Sequence, residues 1–112
     1  MKQASYPKRQ AAHRMVIGRM SIDRQLQQVR LPGRAIHLTP LEFELLWVLA
    51  REPQKVFARE ELLRLVWGES VFVTVRTVDV HMAKLRQKLR TDEWPDVIET
   101  VWGMGYRLRT GW

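Results

Sequence analysis

Apolar and polar residues are mixed in short bursts along the first third of the chain. "MVIGR", "MSID", "QLQQVRL" and "RAIHLT", between Met15 and Thr39, are runs of four to seven residues. Breaks fall near Gly18-Arg19, near Asp23-Arg24 and at Pro32-Gly33, the last a strong turn dipeptide. Runs of this length bounded by turn residues predict four strands in a small antiparallel meander.

At Thr39 the period changes to that of a helix. Thr39 as N-cap, Pro40 at the first helical position and Glu42 three residues after the threonine spell a capping box. Phe43, Leu46, Trp47 and Ala50 follow at helical spacing until Pro53 bars continuation. "KVFA" predicts a short strand. "REELLRLVWG" predicts a second helix with Leu62, Leu63, Val66 and Trp67 on its apolar side and Gly68 placed for the C′ position. A third helix is expected from about Arg76 to Arg90, ended by "TDEWPD". The last apolar stretch, "VIETVWGMGYRLR", predicts two strands joined at Gly103-Met104-Gly105, a β-hairpin with a glycine-rich tip. Two helices joined by a connection and followed by a hairpin are the layout of a winged helix-turn-helix, an α+β fold.

The third helix carries two messages. Val78, Met82, Leu85 and Leu89 fall within about 60° of one another at helical pitch, a narrow stripe that belongs to the core. Between them stand Arg76, His81, Lys84, Arg86, Lys88 and Arg90, with Asp79 the one acid among five Lys/Arg. A merely solvated face tends to mix signs at i,i+4 spacing, because such pairs add a few tenths of a kcal/mol. A helix fits the DNA major groove, where Arg or Lys donates to guanine and a small apolar group meets a thymine methyl. Val80 and Ala83, among the cations, suit that second task.

Charge sharpens this picture. The chain has 112 residues, a net charge of +7 and a sequence pI near 10.6, a balance that favours a polyanionic partner. Most of the excess lies in residues 1–37, with eight Lys/Arg against one acid. Residues 1–13 lack periodicity and are expected to form a flexible basic arm or linker remnant, leaving 14–112 as one domain. The start of the chain has no apolar stretch of the signal-peptide kind. There are no cysteines, so neither a disulfide nor a thiolate metal site is possible. That usage fits a cytoplasmic protein, and no membrane contact is expected.

The tandem of "RTVDVHMAKLRQKL" with "IETVWGMGYRL", behind "LTPLEFELLWVLAREPQKVFAREELLRLVWG", closely resembles the DNA-binding domain of OmpR/PhoB-type response regulators, over residues 15–110. The resemblance implies a winged helix-turn-helix effector with an N-terminal four-stranded sheet, three helices and a hairpin wing, fused in the parent protein to a receiver domain. It implies sequence-specific binding to tandem half-sites in double-stranded DNA, with the third helix in the major groove and the wing on the adjacent minor groove or backbone. Carried over by position, Arg76, Thr77, Val80, His81, Lys84 and Arg86 are recognition-helix residues. Arg59 and Trp67 match phosphate contacts, and Thr100, Trp102, Gly103 and Tyr106 match wing contacts. Glu69, Ser70, Val71, Phe72 and Val73 match a loop that can meet RNA polymerase. An alternative is an interaction module that docks a transcription partner through residues 69–75.

Four positions depart from the family pattern. Trp102 stands where the wing usually has arginine, and an indole cannot neutralise a phosphate, though it stacks on sugars or packs against the arm. Ala83 occupies a position often basic. Ala58 replaces the usual serine N-cap of the second helix, and Val75 offers the third helix no side-chain cap. No enzyme is expected. Ser21 and Ser70 have no evident histidine partner, and His13, His37 and His81 lack metal-ligand spacing. No cofactor is expected either.

Overall fold

The structure is a computed structural model that describes residues 13–69, 72–94 and 96–112. The basic arm expected over 1–13 lies, apart from His13, outside the described residues, as do Ser70 and Val71 of the expected docking loop.

Four strands, β1 (Arg14–Ile17), β2 (Met20–Asp23), β3 (Gln28–Leu31) and β4 (Arg34–Ile36), form an antiparallel sheet in chain order. Its register sets Met15 beside Ile22, Ile22 beside Val29 and Val29 beside Ile36. One buried residue from every strand therefore stands in a single row across the sheet. Side chains alternate faces along a strand, so a slip of one residue would turn this whole row to water. The predicted breaks are the turns, with Gly18 at φ +59° and Gly33 at +77°.

Helix α1 (Pro40–Arg51) lies between this sheet and the rest of the domain. Its capping box is complete: Glu42 N–H donates to Thr39 Oγ1 at 3.2 Å, and Thr39 N–H donates to Glu42 Oε1 at 3.0 Å. Seven of its twelve residues are buried, Phe43, Leu46, Trp47 and Ala50 among them. Being covered on two sides, it needs an apolar surface wider than one stripe.

Helix α2 (Arg59–Trp67) starts at Ala58, which has no side-chain cap; Glu61 alone reaches back, accepting the Ala58 N–H at 3.4 Å. Helix α3 (Val75–Leu89) buries Val78, Met82, Leu85 and Leu89. Its N-cap is Thr74 rather than Val75, one residue earlier than the periodicity places it, and the Thr74 hydroxyl makes no cap bond. Strands β5 (Ile98–Val101) and β6 (Gly105–Leu108) form the hairpin, whose tip is Trp102–Met104, one residue earlier than expected.

The strand predicted at "KVFA" shrinks to one bridging residue, Phe57, which exchanges both backbone hydrogen bonds with Tyr106 at 2.8 and 3.0 Å. The wing is thus tied to the start of the helix-turn-helix. Gly105 makes this approach possible. A Cβ there would fall on the Phe57 carbonyl oxygen, far inside contact distance, and its φ of +152° suits no other residue.

Candidate nucleic-acid interface

Burial of the apolar stripe turns the other sides of α3 outward. Arg76, Val80, Ala83, Lys84, Gln87 and Arg90 are exposed, with Val80 at 45%. The remaining cations of the helix are held. Lys88 donates to Glu42 Oε1 at 2.6 Å, and Glu42 is only 1% exposed. Burial works against the charged form of Glu42, yet the Lys88 ammonium and the Thr39 backbone N–H outweigh it and hold the carboxyl below its usual range. Arg34, on β4, donates to the carbonyls of Lys88 at 2.8 Å and Arg90 at 3.4 Å, placing a cation at the negative end of α3. The outward basic surface is therefore narrower than the sequence suggests: Arg76, Lys84 and Arg90 carry it.

Arg86 is half-buried and donates to the Thr100 hydroxyl of β5 at 2.5 Å. It joins the third helix to the wing. His81 Nδ1 stands 2.9 Å from the Thr77 carbonyl. A carbonyl only accepts, so this contact puts the proton on Nδ1. The same ring meets Trp67 edge-on, 5.3 Å between centroids, which closes the junction of α2 and α3. Thr77, His81 and Trp67 are thus partly buried residues at a helix junction, each with an edge in solvent.

Asp79 is the residue whose role the sequence does not reveal. It accepts from Arg59 Nε at 3.1 Å and Nη2 at 2.5 Å, and its Oδ1 also accepts from the Tyr106 hydroxyl at 2.8 Å. One carboxylate thereby joins α2, α3 and β6. Its single trace in the sequence is an acid isolated among cations. The pairing raises the Arg59 pKa through the Asp79 hydrogen bonds and charge, so the guanidinium keeps its proton. The Arg59 side chain remains 43% exposed beside its partner. Tyr106 is 8% exposed with its hydroxyl turned inward, so it braces the wing from within.

The wing tip is different in kind. Trp102 is 88% exposed and Met104 62%, with Gly103 between them at φ +79°. Arg107 and Arg109, the cations of this hairpin, both lie against Glu99, at 2.7 and 3.5 Å. Arg59, Glu60, Asp79, Arg86, Thr100 and the tip line one open cleft of about 570 Å³. In the expected docking loop, Glu69, Phe72 and Val73 are exposed, Phe72 completely. Among the described residues no group of three or more His, Asp or Glu could hold a metal, and no helix is long and apolar enough to cross a membrane.

Residues 33–108 match the family described as "Transcriptional regulatory protein, C terminal". The chain is 43% identical over 99 residues to the transcriptional regulatory protein ResD of Bacillus subtilis, an alignment covering 87% of this chain and 41% of ResD. It is 44% identical over 93 residues to the phosphate regulon transcriptional regulatory protein PhoB of Rhizobium meliloti, covering 83% of this chain and 41% of PhoB. The chain thus spans about two fifths of the length of the curated relatives it matches. Among solved structures, the Klebsiella pneumoniae RstA DNA-binding domain in complex with RstA box superposes with a TM-score of 0.74 at 32% identity, over 86% of this chain and 96% of that one. The sequence matches, and the shared sheet, three helices and hairpin, place the chain in the family of OmpR/PhoB-type response-regulator DNA-binding domains.

Proposed function

We propose that this domain binds double-stranded DNA sequence-specifically, as the effector of a two-component response regulator that controls transcription in the cytoplasm. Helix α3 enters the major groove. Arg76, Val80 and Lys84 reach base edges and backbone, and the solvent edges of Thr77 and His81 follow the same groove wall. Arg86 sets the wing against the helix and offers its remaining donors to the backbone. Arg59 and Trp67 face phosphates from the scaffold, and Thr100, Trp102 and Gly103 bring the wing to the adjacent minor groove or backbone. Relatives more than twice as long support a receiver domain in the parent protein, whose pairing would place two such effectors on tandem half-sites.

The observation that carries this reading is the outer face of α3. Arg76, Val80, Ala83 and Lys84 are exposed together on a helix whose other side is locked into the core. An apolar position set among cations matches the mixed chemistry of base edges better than it matches water. Selection of bound duplexes from a random pool, followed by a salt titration, tests it. The expected result is one preferred duplex whose binding weakens steeply with salt. Equal affinity for random duplex would sink the reading.

A second reading rests on Phe72, which is fully exposed, with Val73 after it and Glu69 also exposed. An apolar side chain left wholly in water at a loop suits a protein contact, and RNA polymerase is the partner this reading proposes. Phe72→Ala would then abolish activation of transcription while leaving duplex affinity unchanged.

A further inference from the structure

We propose that the wing tip acts as an apolar wedge, Trp102 and Met104 packing into the minor groove against sugars and base edges; this rests on the DNA reading above. Three observations converge on it. First, the tip has no cation to offer. The segment Val101–Gly105 carries no charge, and Arg107 and Arg109 behind it are both drawn to Glu99. A wing that gripped phosphates would need those guanidiniums free. Second, the two largest side chains of the tip are the ones in water, Trp102 at 88% and Met104 at 62%. Gly103, at φ +79° with nothing near its missing Cβ, turns the chain tightly between them.

Third, the tip does not stand alone. It forms one wall of a cleft lined by Arg86, by Arg59 with its partner Asp79, and by Glu60. Arg86, whose partner is the neutral Thr100 hydroxyl, is the cation of this cleft that no carboxylate among the described residues meets, so an occupant that meets it beside the indole presents negative charge and apolar faces together. The minor groove does so, with phosphates along its edges and deoxyribose on its walls. Apolar side chains entering that groove favour base steps that unstack easily, so the wedge adds a preference for flexible pyrimidine–purine steps beneath the wing.

The test uses the whole chain and the duplex that the wild type selects from a random pool, with affinity measured across a salt series. Trp102 is so exposed that Trp102→Ala should melt as the wild type does. Trp102→Ala combined with Met104→Ala should bind about tenfold more weakly, as expected for loss of an aromatic stacking contact, with an unchanged salt slope. Trp102→Arg should recover affinity at low salt only, with a slope steeper by about one. Undiminished binding by the double variant overturns the wedge and leaves the tip to a protein partner. A loss accompanied by a flatter salt slope also overturns it, because the tip would then be acting through phosphates. A wild-type chain that selects no duplex overturns the DNA reading and the wedge with it.

Discussion

Tyr106 donates its hydroxyl to Asp79 Oδ1 at 2.8 Å, on the carboxylate that also receives Arg59 through two nitrogens. The wing is therefore attached to the third helix by a side chain as well as to Phe57 by backbone. Asp79→Asn keeps the shape but removes the charge that both donors use. It should lower stability by about 1–2 kcal/mol, at the low end of the range for hydrogen bonds to a charged group because both side chains of the ion pair are partly in water. Tyr106→Phe should cost about 1 kcal/mol, and the two changes together less than their sum, because one weakens and the other removes the same bond. Urea unfolding of the three variants checks this; strict additivity would show that the contact is not made.

The same contact governs a titration. Burial first, and then the bond to Asp79, push the Tyr106 phenol from 10.0 up to about 12. A folded pKa above the unfolded one means that the stability is fully present below pH 10 and is lost as pH rises toward 12. Of the two tyrosines in the chain, one should thus ionise late by ultraviolet absorbance, and Tyr106→Phe should remove that late component. Two phenols titrating together near 10 would contradict the buried hydroxyl.

Glu42 predicts the acid limit. Its folded pKa lies below the ordinary 4.5, held there against burial by Lys88 and Thr39. The stabilisation is present above the unfolded value and is lost as pH falls through the folded one. Lys88→Gln should destabilise by about 1–2 kcal/mol at neutral pH, less than for a wholly buried pair because the ammonium is 38% exposed. The gap between wild type and Lys88→Gln should close as the unfolding series is carried to acid pH. A gap constant down to the lowest pH would mean that the pair contributes nothing.

The two wing glycines separate sterics from strain. Gly103→Ala meets open space and bears only the left-handed backbone, a cost of about 1–2 kcal/mol. Gly105→Ala would drive its methyl into the Phe57 carbonyl and must move the backbone. It should cost more than Gly103→Ala and detach the wing, seen as faster amide exchange at Phe57 and Tyr106. Equal costs at the two positions would refute the close approach.

Arg86 and Thr100 should behave as one unit in DNA binding. Arg86→Ala is expected to weaken the selected duplex by about 1–3 kcal/mol. Thr100→Val leaves the guanidinium in place but takes away its anchor, so it should weaken binding as well. If Thr100→Val bound as the wild type, Arg86 would reach DNA without help from the wing.

What was legible in the sequence is what local spacing controls. The capping box at Thr39, Pro40 and Glu42 and the stripe Val78-Met82-Leu85-Leu89 appear as expected, because a helix's periodicity and its first turn are written within a few residues. The meander and its turns follow for the same reason. The third helix begins one residue early because Thr74 can cap by backbone geometry alone, a matter that side-chain chemistry does not announce.

Which cations stay outward could not be read this way. Charge is a property of a residue, but pairing depends on which elements meet, and the partners here lie far apart in the chain. Lys88 is held by Glu42, 46 residues away, Arg59 by Asp79 at 20, and Arg86 by Thr100 at 14. By itself the sequence determined a helix with an oily seam and a basic remainder. Only the tertiary structure decided that Arg76, Lys84 and Arg90 keep that charge outward while the others brace the fold, because a long cationic side chain goes to whichever carboxylate or hydroxyl the packing brings within reach.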